Sequence, residues 1–189
     1  MAFYQGVYAL KSWPILHNLT TLARLCRFYC HKGVDIMKEY SYSIDMPHPA
    51  ERIWATMQDY DKWPEFAKPM VTGISVVEKG DEKGNGLVRQ VHYKLPLGIK
   101  GKSTERVHDV EPGVGYTYTT KTGTIGTLRL EKLGPNSTRL HFTEKVKYGF
   151  PFSMFEGRIK KFVEKYNRKT MENMSKWLTE HPEYPGKKF

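Results

Sequence analysis

The 189-residue sequence predicts an α+β domain: a curved antiparallel sheet of six to seven strands wrapped around one long C-terminal helix, with two short helices after the first strand. Three observations predict it. Residues 71–148 fall into segments rich in β-branched and alternating residues, separated by short turns of Gly, Pro, Asn and Ser. Residues 152–180 carry one apolar stripe at steps of three and four, apart from one eight-residue gap. Pro47 and Pro49 close the first strand ahead of two brief helical stretches.

The elements follow in order. Glu39 to Met46 alternates in polarity and is the first strand. Ala50 to Asp59 places Ile53, Trp54 and Met57 at helical spacing, and Trp63-Pro64 starts a second short helix through Phe66, which Pro69 ends. Strands then span Val71 to Lys79, Leu87 to Leu95, Ile99 to Val110, Tyr116 to Lys121, Thr124 to Leu133 and Thr138 to Tyr148. Links this short make the strands antiparallel neighbours. The last helix runs from Phe152 to Glu180, with Phe155, Ile159, Phe162, Tyr166, Met174 and Trp177 on its stripe, Pro151 at its entrance and Pro182 after its end. A sheet of this size has one face to cover, and this helix is the only long element available. Laid across a strongly curved sheet, it leaves a space whose ends the short helices plug, and that space is the predicted pocket.

Totals narrow the function classes. Hydrophobic residues are 39% and charged residues 26%, which fits one globular domain with an appendage. Aromatics reach 13%, including twelve tyrosines, and tyrosine suits a pocket wall because it joins apolar area to a polar tip. The formal net charge is +10. The densest basic stretch, Arg158 to Lys176, is interleaved with Glu156, Glu164 and Glu172, each four residues before a base, as on a solvated helix face. No aromatic ladder alternates with bases, so no nucleic-acid partner is expected; peripheral contact with a membrane is. The oligomeric state is not encoded in any visible pattern. Gly84 and Gly86 follow a strand but precede another strand, so no dinucleotide cofactor is expected. The spacing of Cys26 and Cys30 suits neither a disulfide nor, with His17 and His31, a zinc pattern. Reduced thiols point to a reducing, cytoplasmic compartment. No stretch of 18 apolar residues is present.

Residues 1–37 differ from the rest: Asp35 is their one acid, against Lys11, Arg24, Arg27 and Lys32, and Leu16 to Tyr29 has an amphipathic pattern. Three readings stay open. The segment is an upstream extension of a domain that starts at Met37, an organellar transit peptide, or a membrane-surface or partner-binding helix. The domain is expected to span 38–181, with a frayed tail over 182–189.

The run PHPAERIWATMQDYDKWPEF (Pro47 to Phe66) resembles the opening of the START-like, or SRPBCC, superfamily in its polyketide cyclase/dehydrase branch, with Pro49, Trp54, Asp59, Tyr60, Trp63, Pro64 and Phe66 at the matching positions. GNGLVRQV (Gly84 to Val91), STERVHDVEPG (Ser103 to Gly113) and NSTRLHFTEKV (Asn136 to Val146) resemble later strands of that superfamily, in order and spacing. The resemblance covers residues 39–180. It implies a helix-grip fold with a hydrophobic ligand pocket and does not imply one reaction, since members include lipid and sterol carriers, coenzyme Q-binding proteins, aromatase/cyclases and ligand sensors.

Turn positions set an expected register. With a turn at Pro96-Leu97-Gly98, Val88, Gln90 and His92 lie opposite Arg106, Thr104 and Lys102. Arg106, His108 and Val110 then share a face with Tyr116, Tyr118, Gly126 and Leu128, which Leu140, Phe142, Glu144 and Val146 continue. This face is assigned to the concave interior because it holds most large apolar side chains of the later strands. A one-residue slip would turn it outward, and the Arg89–Glu105 pair would become the interior one. In the expected register, Arg106, Tyr116 and Tyr118 anchor the polar end of an oily ligand, over Leu128 and Phe142 and under Phe155, Ile159, Phe162 and Tyr166. A structural reading of Arg106 is an ion pair with Glu144, or a surface pair with another glutamate. His92 or His108 with Glu144 is the candidate acid/base set for a ring-closing reaction, with Tyr118 or Arg106 donating to an enolate oxygen. A lone strand histidine more often serves structure. Three functions follow: a binder or carrier of a hydrophobic molecule such as a lipid, quinone or polyketide; a cyclase/dehydrase using the same pocket; or a basic membrane- or protein-interaction module.

Overall fold

The computed structural model describes residues 36–94, 98, 100–148 and 156–185. The expected extension over 1–37 therefore lies outside the described residues except for its last two positions, as do Cys26, Cys30 and Phe155; the side chain of Ile159 is also outside them.

The element order is β1 (Ile36–Met46), α1 (Ala50–Gln58), α2 (Trp63–Phe66), β2 (Val71–Glu78), β3 (Val88–Lys94), β4 (Lys100–Glu111), β5 (Gly115–Thr120), β6 (Ile125–Gly134), β7 (Ser137–Tyr148) and α3 (Glu156–Glu180). All seven strands form one antiparallel sheet in the order β1-β7-β6-β5-β4-β3-β2. Consecutive strands are neighbours from β2 to β7, as short turns require. β1 joins the free edge of β7, with Tyr40 opposite Glu144 and Tyr42 opposite Phe142.

Pro49 opens α1 because its fixed φ suits a helix start, and its carbonyl accepts from the Arg52 and Ile53 amides. Glu51 in the first turn favours the positive end of the helix. The second half of α3 is the anchor of the fold. Its Met174 and Leu178 are fully buried, with Met46, Ile53, Met57, Phe66 and Leu140 around them. The C-terminal end of α3 has no basic residue of its own. Arg52 of α1 supplies the cap by donating to the carbonyls of Leu178 (2.9 Å) and His181, and His48 Nε2 donates to the Ser175 carbonyl at 2.8 Å. Beyond α3, Tyr184 packs its ring edge-on against Trp177 and its hydroxyl donates to Asp59; residues 186–189 lie outside the described residues.

Registers β3–β4, β5–β6 and β6–β7 are those expected: Val88 faces Arg106, Tyr116 faces Leu128, and Leu128 faces Phe142. The β4–β5 register differs by one residue. Val107, not Arg106, faces Tyr118, and a bulge separates His108 from Glu111. Asp109 occupies it with a left-handed φ of 51°, a conformation that Asp adopts more readily than bulkier residues. The extra residue exchanges the two faces of β4 relative to β5–β7.

Candidate functional site

The concave face follows from that bulge. Side-chain alternation puts Tyr40 and Tyr42 of β1, Phe142 and Glu144 of β7, Tyr116 and Tyr118 of β5, Glu105 and Val107 of β4, and Arg89, Val91 and Tyr93 of β3 on one side. At its centre Arg89, 4% exposed, donates from Nε to Glu105 at 2.9 Å and from Nη2 to the Tyr116 hydroxyl at 3.3 Å. Its guanidinium also lies 5.2 Å from the Tyr60 ring centre, 5.3 Å from that of Tyr116 and 5.8 Å from that of Tyr118. Burial works against a charge on Arg89, but the Tyr116 hydroxyl and the Glu105 carboxylate outweigh it and keep the guanidinium protonated. This pair belonged to the alternative register.

Beside it, the Tyr118 hydroxyl donates to Glu144 at 3.2 Å. Burial raises the Glu144 pKa to about 7; the hydrogen bond from Tyr118 opposes the rise and the charge of Glu105 adds to it. Burial also pushes the Tyr118 phenol well up. The result is a neutral-pH acid next to a hydroxyl, on a largely aromatic face that also holds the Arg89–Glu105 pair.

Two glycines shape this surface. A Cβ at Gly126 would lie 2.2 Å from the Tyr118 ring, and one at Gly101 would lie 2.6 Å from the Tyr93 ring. Both rings therefore lie against bare backbone across the strand pair.

Coverage of the face is uneven. On the β1–β7 side, α3 sits directly on the sheet. Val163, Glu164 and Asn167 meet Tyr40, Tyr42, Phe142 and Glu144 around a cavity of about 10 Å³, enough for one water. Lys160 Nζ lies 5.5 Å from the Tyr40 ring centre, and the Arg168 guanidinium lies 5.7 Å from that of Tyr42. On the β2–β4 side, inner-face Ile74, Val91, Tyr93 and Ser103 are only half-buried, as are Phe162 and Tyr166 on the first half of α3. Among the described residues, the concave face is therefore less covered toward β2–β4 than toward β1–β7.

The residues singled out in the sequence divide accordingly. Tyr116, Tyr118, Leu128, Phe142 and Glu144 share the concave face, and Phe162 and Tyr166 lie on α3 half-buried. Arg106 is on the convex face, exposed and paired with Glu78 at 3.2 Å, so it forms no pair with Glu144. His92 bonds Ser75 (3.2 Å) on that outer face. His108 bonds Thr119 (2.9 Å) and Asp109 (2.8 Å) there. The bulge at Asp109 is the physical reason for all three displacements. Sequence reasoning missed Arg89, Tyr60, Tyr40 and Tyr42 as members of the inner cluster. The signal was on β3, where Val91 and Tyr93 share a side with Arg89 while Gln90 and His92 share the other.

The family described as polyketide cyclase / dehydrase and lipid transport matches residues 37–179. The chain belongs to that family. Its fold is that of the START-like superfamily. A START superfamily protein from Mycobacterium smegmatis superposes with a TM-score of 0.62 at 16% identity, over 74% of this chain and 98% of that one. The Zhui aromatase/cyclase from Streptomyces sp. R1128 superposes with a TM-score of 0.63 at 17% identity, over 81% and 100%. The XoxI protein from Bacillus cereus gives 0.56 at 14% identity, over 75% and 95%. At these identities the likeness is one of fold. No curated protein matches the sequence. Among the described residues, no helix of this polyketide cyclase-family chain is long and apolar enough to cross a membrane.

Proposed function

We propose that this chain binds a largely apolar small molecule, of lipid, quinone or polyketide type, in the hollow between the first half of α3 and the β2–β4 side of the concave face. One observation carries the reading: apolar side chains of the concave face and of the first half of α3 are left half-buried, and the same face carries the hydrogen-bonded Tyr118–Glu144 pair. Uncovered apolar area disfavours the empty state by roughly 25 cal/mol per Å² that a ligand would remove from water. The pair gives such a ligand one polar contact. Protonated Glu144 donates to a carbonyl, and ionised Glu144 accepts from a hydroxyl. The pocket's polar end is thus Tyr118 and Glu144, not Arg106.

A second reading is favoured by the Glu144 pKa of about 7. A carboxyl poised there, beside a phenol able to donate to an enolate oxygen, suits the proton transfers of a cyclase/dehydrase. Thermal-shift titration against a panel of hydrophobic carbonyl and hydroxyl compounds tests the binding reading. A stabilising compound whose affinity falls about tenfold in Tyr118→Phe supports it, that being the worth of one hydrogen bond. No shift with any compound contradicts it. Turnover lost in Glu144→Gln while binding persists would select the enzyme.

A further inference from the structure

We propose that the end of the molecule where β1 and α3 begin, and where β3, β5 and β7 finish, docks onto an anionic lipid bilayer. The inference goes beyond ligand binding and does not depend on it.

Charge is segregated along the strand axis. At the finishing end of β7, Lys145 and Lys147 lie opposite Glu39 and Met37, one position from Lys38, so the sheet edge there carries three lysines and one acid. The β5–β6 turn brings in Lys121, since a Cβ at Gly123 within that turn would meet the Lys147 side chain at 3.9 Å. Across the sheet, Lys94 pairs in register with Lys100 at the end of the β3–β4 ladder. The start of α3 adds Arg158, Lys160, Lys161 and Lys165, all exposed. Arg158, Lys161 and Lys165 make no ion pair with any described residue, whereas Lys145 pairs with Glu39 at 3.4 Å and Glu164 pairs with Arg168 at 3.8 Å.

The opposite end has the reverse balance. There four bases are matched to acids, Arg106–Glu78, Arg129–Glu111, Lys132–Glu51 and Arg139–Asp45, alongside Lys79 and Lys83. Asp81, Glu82, Glu180 and Glu183 add further negative charge. A one-sided positive field orients a protein toward an anionic plane.

Chemistry favours a bilayer over nucleic acid. Next to Lys161 and Lys165, the rings of Phe162 and Tyr166 lie 4.5 Å apart and half-buried, an arrangement suited to the headgroup boundary. No aromatic side chain among the described residues is fully exposed for stacking on bases.

Co-sedimentation of the full chain with phosphatidylcholine vesicles, with and without phosphatidylserine, tests the proposal. The expected result is binding that requires phosphatidylserine and is released by about 0.5 M salt. The triple variant Lys121→Gln/Lys161→Gln/Lys165→Gln should lose about a hundredfold in partitioning, at about fivefold per charge. The matched variant at the other end, Lys79→Gln/Lys83→Gln/Lys132→Gln, should change it less than about twofold. Thermal melts of both variants confirm that each is folded. The proposal is overturned by absent binding, by equal binding to uncharged vesicles, by unchanged binding of the first variant, or by equal losses in both. Tighter binding to single-stranded RNA at the same salt would overturn it in favour of nucleic acid.

Discussion

Glu144 sits among tyrosines and apolar groups on the inner face, so its ionised form is the costly one. Its carboxyl titrates at an ordinary value of 4.5 when solvated and at about 7 in the fold. The folded protein therefore holds the proton more tightly than the unfolded chain. Stability from this group is fully present below pH 4.5 and is lost as pH rises to about 7, by on the order of 3 kcal/mol at about 1.4 kcal/mol per unit. Denaturant unfolding of wild type and Glu144→Gln across this range should show the wild type losing stability relative to the variant as pH rises. Parallel curves would mean that Glu144 is solvated. Arg89 shows the other way to keep a charge inside. It is matched by Glu105 and hydrogen-bonded to Tyr116, so it stays ionised.

At the scale of elements, α3 has two halves with different duties. Met174, fully buried among α1, α2 and the sheet, belongs to the core, whereas Phe162 is half-buried. Met174→Ala should cost about 2–5 kcal/mol in urea unfolding. Phe162→Ala should cost under about 1.5 kcal/mol yet weaken binding of any compound that stabilises the wild type. Equal costs would mean that no functional division exists. Strand and helix spans were legible because β-branched alternation, proline breaks and the α3 stripe are local signals, and they place every element to within a few residues. The registers set by tight turns were legible too. The β4–β5 register was not, because the left-handed residue is Asp109, in a link where Pro112 and Gly113 already account for a turn. That single residue decided whether Arg106 or Arg89 pointed inward. Tyr118, Leu128, Phe142 and Glu144 lie beyond the bulge, on strands whose mutual register was set by turns, so their shared face was readable.

Over the whole molecule, the sheet is covered unevenly. α1, α2 and the second half of α3 fill the concave sheet around Met46, Ile53, Phe66 and Leu140. Among the described residues, the first half of α3 meets β1 and β7, while Val91 and Tyr93 of β3, like Phe162 and Tyr166 of α3, are half-buried. The unpaired bases of α3 gather at the end where that helix begins, while acids and their partners occupy the other. A carrier would use such polarity to load and unload at a surface; an enzyme would use the same hollow with Glu144 as its proton donor. Both need a guest in the hollow. Native mass spectrometry of the purified full chain tests that requirement most directly. The account predicts a noncovalent small-molecule adduct that disappears in Val91→Trp, whose indole would fill the open side. A spectrum holding only the bare chain, or an adduct that Val91→Trp leaves intact, would contradict it.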